Sequence, residues 1–430
     1  MSGKNGNGGL TVAMISEHGD PIAPLGGQQS GGQNVYVYEV ARALSKLGVK
    51  VDVFTRWENR KAAKVVRFAT RAKVIRLKAG PRHFISKDKF GPLMPEFVER
   101  VLEYARLNKR CYNIIHTHYY YSGWAGLQLK HILGKKLVHI FHSLGLIKHK
   151  ALAENDPSPK ERTQIEKKLM RSADMIISTS PQEKLDMVRE YGVSGKNVAV
   201  IPAGVNLRRF TPLGKASARR KLKLPQDKKI VVFAGKMEKR KGGETLIKAV
   251  KEIQKNCLKI YSQLAVYMFS GDPRIQRKKE KKETTTRHAL KDMIRDLEVD
   301  DTVKLMPGIE QDKLHYYYGA ADVVVMPSYY EPFGMVAVEA LATGTPVVAS
   351  NVGGLKWTIQ DGVTGFHARA KSAKGFAKQI VRILKDPVLE RKMSRNGIEQ
   401  ARKNYAWLKI AKKTLAIYKQ LIAKDAGKTQ

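Results

Sequence analysis

The chain has 430 residues, enough for two domains or one large one, and 43% of them are apolar, enough to build sizeable cores. Lys and Arg number 79 against 39 Asp and Glu, a net charge of +40, so its surface attracts polyanions non-specifically, nucleic acid or anionic membrane alike. No apolar run reaches the ~18 to 20 residues that span a bilayer, and two cysteines, Cys111 and Cys257, make neither a disulfide framework nor a metal site.

The first residues, Met1 to Gly9, read as a flexible lead and not as a signal peptide, so a reducing cytoplasm is the expected compartment. Leu10 to Ile15 is strand-length and apolar, and a Gly-rich loop follows from Gly19 to Gly32. Val37, Val40, Ala41, Leu44 and Leu47 then fall at helical spacing, with Gly48 where a C-terminal cap belongs. In Ser30-Gly31-Gly32-Gln33-Asn34-Val35-Tyr36-Val37 the glycines open a strand-to-helix junction where backbone can approach a ligand, and Gln33 and Asn34 can point into a cleft. Further strands are expected at Val49 to Thr55, Ile114 to Thr117, Leu137 to Phe141, Met175 to Ser178 and Val198 to Ile201, with a helix over Glu161 to Arg171. His116-Thr117-His118-Tyr119 ends one of these strands. A His pair of this kind could hold metal, but no Cys or carboxylate partner is near, so a satisfied structural His is the general expectation for either.

The alternation pauses between Pro202 and Pro225 and restarts with Lys229 to Ala234. That strand runs into Gly235-Lys236-Met237-Glu238-Lys239-Arg240-Lys241-Gly242, and a helix begins at Glu244. Two lysines five apart on such a loop could converge on a diphosphate; composition alone would make it a solvated turn. Leu264 to Phe269, Thr302 to Leu305, Asp322 to Met326 and Pro346 to Ala349 continue the strands. Arg274 to Arg287 carries seven Lys/Arg against two Glu and reads as an exposed basic insertion. After the strand Asp322 to Met326 come Glu331-Pro332-Phe333-Gly334-Met335-Val336-Ala337-Val338-Glu339: a turn at Pro332 and Gly334, then a helix with Glu339 two turns in. Helix-start N–H groups at Gly334, Met335 and Val336 suit a phosphate, and carboxylates such as Glu331 and Glu339 accept bidentate bonds from vicinal hydroxyls. A sugar nucleotide has hydroxyls at each end and a diphosphate between. Gly375 to Ala423 is mostly helical and amphipathic. The whole reads as α/β, two consecutive Rossmann-like parallel domains: residues 1–205, residues 206–400, and a last helix over 401–430. Ligands of such sheets bind beyond the strand C-termini, and two such domains face each other across a cleft.

Glu331 to Glu339 resembles the E-x7-E signature of retaining glycosyltransferases of family 4, which have the GT-B fold. The likeness continues through Thr343-Gly344-Thr345-Pro346, Val352-Gly353-Gly354 and Asp361-Gly362-Val363-Thr364-Gly365. Ser16 to Pro21 and Gly31 to Val37 resemble sucrose-phosphate-synthase-like and inositol-phosphate glycosyltransferases, as do His116 to Gly123 and Phe141-His142-Ser143. The resemblance implies a C-terminal helix that crosses back to the first domain. It implies Gly31 and Gly32 near the diphosphate, Gln33 and Asn34 near the acceptor, and His118 against the transferred sugar. Gly235 and Phe333 join the donor loop; Lys236 and Lys241 neutralise the diphosphate, with Lys236 where relatives carry Arg, a point charge in place of a planar fork. Lys87, Tyr119 and Arg162 match positions that grip an acceptor phosphate.

The activity implied is transfer of a hexosyl group, glucosyl from UDP-glucose, to fructose 6-phosphate or an inositol phosphate, with retention, no cofactor and no metal. No Asp-x-Asp pair occurs anywhere in the chain. A glycosidase would also use two carboxylates, but no nucleophile candidate accompanies them. A nucleotide-sugar epimerase of the same fold, or a polyanion-binding protein on that scaffold, are the alternatives.

Overall fold

The computed structural model describes residues 9–24, 31–152, 161–236, 238–269 and 285–426. The Arg274 to Arg287 run falls almost wholly outside them, as do Ser30, Met237 and most of the N-terminal lead. The chain divides into two compact units. One runs through Pro202 and takes back Trp407 onward; the other is Ala203–Ala406.

In the first unit eight strands form one sheet: β1 (Thr11–Ile15), β2 (Lys50–Arg56), β3 (Val65–Ala69), β4 (Ala72–Leu77), β5 (Ile114–His118), β6 (Lys136–Ile140), β7 (Met175–Ser178) and β8 (Val198–Val200). Their order is β3-β4-β2-β1-β5-β6-β7-β8. Central strands are buried on both faces, which is why Val12 to Ile15 reads as continuous apolar sequence and not as an alternation. β1 lies parallel to β2 and β5, with Ile15 opposite Phe54 and Thr117. β3 pairs antiparallel with β4, so the sheet is not wholly parallel as expected. A parallel connection needs a crossover, and the two residues between Ala69 and Ala72 allow only a hairpin.

The second unit holds β9 (Lys229–Ala234), β10 (Leu264–Phe269), β11 (Val303–Met306), β12 (Val323–Met326), β13 (Val347–Ser350) and β14 (Gly365–Ala368). Their order, β11-β10-β9-β12-β13-β14, is the doubly wound order of a dinucleotide-binding sheet, and every pairing is parallel. Its core is built around Val231, Val250, Val266, Val325 and Phe376.

The order reverses between β9 and β12 here, and between β1 and β5 in the first sheet. Loops after those strands therefore diverge and leave a crevice at the strand C-termini. Three helices close the chain: Ala373–Lys385, Pro387–Asn404 and Trp407–Ala426. Residues 401–406 stay with the second unit, and the last helix packs on Gly32–Lys46 in the first. Trp407 meets Tyr36 edge-on at 5.4 Å. Among the described residues no helix is long and apolar enough to cross a membrane, and both cysteines are free.

Candidate active site

In the second unit, the loops at the reversal point carry the expected donor residues. Lys241 closes a short turn after β9, and its Nζ forms an ion pair with the Glu331 carboxylate on the loop after β12. Ser328 Oγ adds a contact to the same carboxylate oxygen at 3.4 Å. Burial alone would raise the Glu331 pKa, but the cations Lys241 and Arg240 overcome it and hold the carboxyl below its usual range. Glycines place this pair. Gly242 has φ +69°, and a Cβ there would lie 2.0 Å from the Pro327 carbonyl oxygen, so only glycine lets the two loops touch. Gly353, at φ +47°, lies against the Glu331 carbonyl in the same way. Gly354 N–H donates to that carbonyl at 2.9 Å.

Gly334, at φ +97°, caps the helix Met335–Thr343, so the N–H groups of Met335 and Val336 open its N-terminus beside Phe333. Glu339 stands little more than one turn into this helix, not two, because the helix starts at Met335 itself. Its surroundings differ sharply from those of Glu331. It is buried, the Tyr318 hydroxyl donates to it at 3.5 Å, and burial pushes its pKa up to about 8, with Arg209 opposing. Gly235 lies against the Lys241 stem, 3.9 Å from a Cβ position. Lys236 instead borders a cavity of about 260 Å³ together with Phe233, Glu244, Leu290 and Met293.

In the first unit, Gly31 and Gly32 begin the helix that follows β1. Asn34 spends both ends of its amide on the preceding loop: its Oδ1 accepts from Gly31 N–H at 2.9 Å and its Nδ2 donates to the Asp20 carbonyl at 2.8 Å. Gln33 Nε2 donates to Ser16 Oγ at 3.1 Å and lies 3.4 Å from the His118 carbonyl. Asn34 thus shapes the turn, and Gln33 ties it to the end of β5. His118 is fully buried; burial drives its pKa well below the ordinary histidine value, helped by neighbouring histidines.

Tyr119, next in sequence, gathers two residues that sequence separates widely. Lys87 Nζ lies 4.7 Å from its ring centroid. The Arg162 guanidinium lies 5.0 Å from the same centroid, and its NH1 donates to the Tyr119 hydroxyl at 3.3 Å. Burial raises the Tyr119 pKa to about 12, so the hydroxyl stays neutral and keeps its own proton to donate. Its backbone, at φ +82° and ψ 160°, occupies a region that glycine alone visits freely; such a conformation costs about 1 to 3 kcal/mol and persists only where packing over-determines it. Arg162 is itself fully buried. Its Nε pairs with Glu166 at 2.7 Å, and its NH2 reaches the Ser143 carbonyl at 2.7 Å and the Ser143 hydroxyl at 2.9 Å. Gly145 N–H and the Tyr191 hydroxyl, at 2.9 Å and 2.5 Å, satisfy the rest of the Glu166 carboxylate.

Several neighbours of this site carried no role in the sequence reading. Glu17 accepts from the Ser122 hydroxyl and lies 2.7 Å from His18 Nδ1, and His18 packs edge-on to Tyr119 at 4.8 Å. His142 and Tyr418 reach the His118 group from distant segments. Glu17 and His18 lie within Ser16 to Pro21, and His142 within Phe141-His142-Ser143; Tyr418 carries no local sequence signal. Among the described residues no group of three or more His, Cys, Asp or Glu could hold a metal ion.

A family model described as Glycosyl transferases group 1 matches residues 214–402, and one described as Glycosyltransferase Family 4 matches residues 30–209. The D-inositol 3-phosphate glycosyltransferase of Streptomyces avermitilis is 33% identical over 95% of this chain and 87% of its own length. That of Corynebacterium diphtheriae is also 33% identical, over 95% of this chain and 94% of its own. The structure of sucrose-phosphate synthase from Thermosynechococcus elongatus superposes with a TM-score of 0.87 at 36% identity, covering 96% of this chain and all of that one.

Proposed function

The chain belongs to glycosyltransferase family 4 and has the GT-B fold, and from that premise we propose that it moves a glucosyl group from UDP-glucose to a phosphorylated acceptor, fructose 6-phosphate or an inositol phosphate, with retention. The observation that carries the acceptor class is Tyr119 set between Lys87 and Arg162, two cations on one neutral hydroxyl-bearing ring. A phosphate accepts from the Tyr119 O–H, whose oxygen is already polarised by Arg162, while Lys87 near the same ring supplies a second charge. The names of the relatives support the same class: one set acts on an inositol phosphate and the other makes a sugar phosphate.

The second unit is assigned the donor. Lys241, Lys236 and the N–H groups of Met335 and Val336 take the diphosphate; Glu339 takes the ribose hydroxyls and Glu331 the transferred sugar. Glu331 held below the usual carboxylate range supports its role as a hydroxyl acceptor at neutral pH. Donor binding then offers Lys241 a second anion besides Glu331. As the anomeric C–O bond breaks, charge grows on the diphosphate, where fixed cations and amides stabilise it without reorganising. The acceptor oxygen bonds the anomeric carbon from the side the diphosphate leaves, and its proton passes to a diphosphate oxygen. His118 is assigned to the transferred sugar. A panel of UDP-, ADP- and GDP-sugars against fructose 6-phosphate and inositol phosphate, read by product mass, tests the reading. The phosphorylated acceptor enlarged by one hexosyl unit is expected, with the nucleoside diphosphate released; free sugar alone, or an epimerised donor, would replace the reading with hydrolysis or epimerisation.

A further inference from the structure

The polar layer beneath His118 is built from parts far apart in the chain. Tyr418, on the last helix, places its hydroxyl 2.6 Å from His116 Nδ1. The His116 and His118 rings lie 4.5 Å apart, tilted by 33°. His118 Nδ1 lies 3.0 Å from His142 Nε2, and those two rings stack at 5.2 Å. Tyr36 meets His142 edge-on at 5.1 Å and is itself covered by Trp407. The last helix therefore touches this group at two points, through Tyr418 and through Trp407.

A hydrogen bond between two imidazoles needs an N–H on one ring and a lone pair on the other, hence at least one neutral ring. Burial supplies that condition, pulling His116 and His142 each down to about 3. With Nδ1 engaged by His142, the ring nitrogen that His118 has left to offer is Nε2. That atom is buried and has no partner among the described residues. A buried polar atom without a partner is costly, and a functional site is where such a cost persists. His116 Nε2 and His139 Nε2 are in the same state, so the layer under His118 is polar and not oily.

Backbone strain marks the same place. His142 has φ +58° although it is not glycine, and Tyr119 on the other side of His118 has φ +82°. Tyr119 N–H donates to the Ile140 carbonyl at 2.9 Å, which links the ends of β5 and β6 where the two strained residues sit. The strain holds the His142 ring where its Nε2 meets His118, which is a reason for a non-glycine residue to tolerate it.

We propose that His142 and Tyr418 are positioning residues for the transfer: His142 sets which nitrogen of His118 is presented to substrate, and Tyr418 braces that ring from behind through His116. The proposal rests on the assignment of His118 to the transferred sugar. It gives the C-terminal helix a part in turnover that its distance along the chain conceals.

The test is steady-state kinetics on the donor–acceptor pair of the panel with the highest turnover. Four variants are compared: His118→Ala, His142→Phe, His142→Gln and Tyr418→Phe. His142→Phe keeps a stacked ring and loses the nitrogen, so a misplaced His118 should lower kcat roughly 10- to 100-fold, with both KM values within about threefold of wild type. Gln presents a polar atom near the place of His142 Nε2 and should recover much of that loss. Tyr418→Phe removes one hydrogen bond and should lower kcat about 2- to 10-fold. Thermal unfolding of each variant separates positioning from folding: a merely structural role lowers Tm and leaves kcat of the folded enzyme unchanged. Should His142→Phe fail to fold, Tyr418→Phe decides. Inactive His118→Ala with wild-type kcat in His142→Phe and Tyr418→Phe would overturn the proposal alone. Full activity in His118→Ala would remove the assignment of His118, and the proposal with it.

Discussion

Two carboxylates eight positions apart differ in protonation because their surroundings differ. Glu331 has Lys241 against it and is held ionised; Glu339 is buried beside a tyrosine hydroxyl and holds its proton up to about pH 8. Glu331→Gln should therefore mainly cut turnover and Glu339→Gln mainly raise the donor KM. Steady-state kinetics separates them, and near-wild-type constants in both would remove the donor assignment. The raised Glu339 value has a sign that stability must follow. Between the ordinary glutamate value of 4.5 and about 8, the folded protein keeps a proton that the unfolded chain releases. Stability contributed by this group is full below that window and is lost as pH rises through it. Wild-type Tm should thus fall relative to Glu339→Gln between roughly pH 5 and pH 9; a gap independent of pH would mean that Glu339 is ionised throughout.

At the scale of elements, the site depends on how loops are pinned to one another. Gly242→Ala would drive a methyl into the Pro327 carbonyl and demand a left-handed backbone from alanine. It should separate the loops after β9 and β12, lowering Tm and activity together; a fully active, fully stable variant would contradict that packing. Arg162→Ala strands Glu166 as a buried carboxylate. Breaking such a pair costs about 3 to 5 kcal/mol, so a large Tm loss should accompany any rise in acceptor KM. Arg162→Lys keeps a charge and should separate the two effects. Most of this frame was legible from apolar runs: β9 and β10 lie where their sequences place them, since their largely buried strands are continuous apolar runs, Ile230 to Ala234 and Leu264 to Phe269. The β3–β4 hairpin was not, because Arg67, Thr70, Arg71 and Lys73 interrupt the apolar pattern on an exposed edge. Nor was β14, where Gly365 and His367 break the apolar run. Glu331, Lys241 and His118 were legible as local motifs. The pairing of Lys241 with Glu331, the gathering of Lys87 and Arg162 on Tyr119, and the reach of Tyr418 to His116 were not, because long-range contact leaves no local pattern.

The whole molecule carries a large excess of positive charge. With a net charge of +40 it should draw a nucleotide sugar and a sugar phosphate toward it within a Debye length, which is longer at low salt. Raising ionic strength should lower kcat/KM for both substrates with little change in kcat, and a flat salt profile would mean the excess charge plays no part in substrate capture. The central claim concerns the acceptor, and it is tested most directly by one comparison on a fixed donor: kcat/KM for fructose 6-phosphate against fructose, and for inositol phosphate against inositol. Charge-assisted bonds to a phosphate contribute on the order of 1.5 to 3 kcal/mol, so the phosphorylated member of at least one pair should be preferred roughly 10- to 150-fold. Equal use of both members of the pair that turns over, or preference for the unphosphorylated one, would contradict the assignment of Lys87, Tyr119 and Arg162 to an acceptor phosphate.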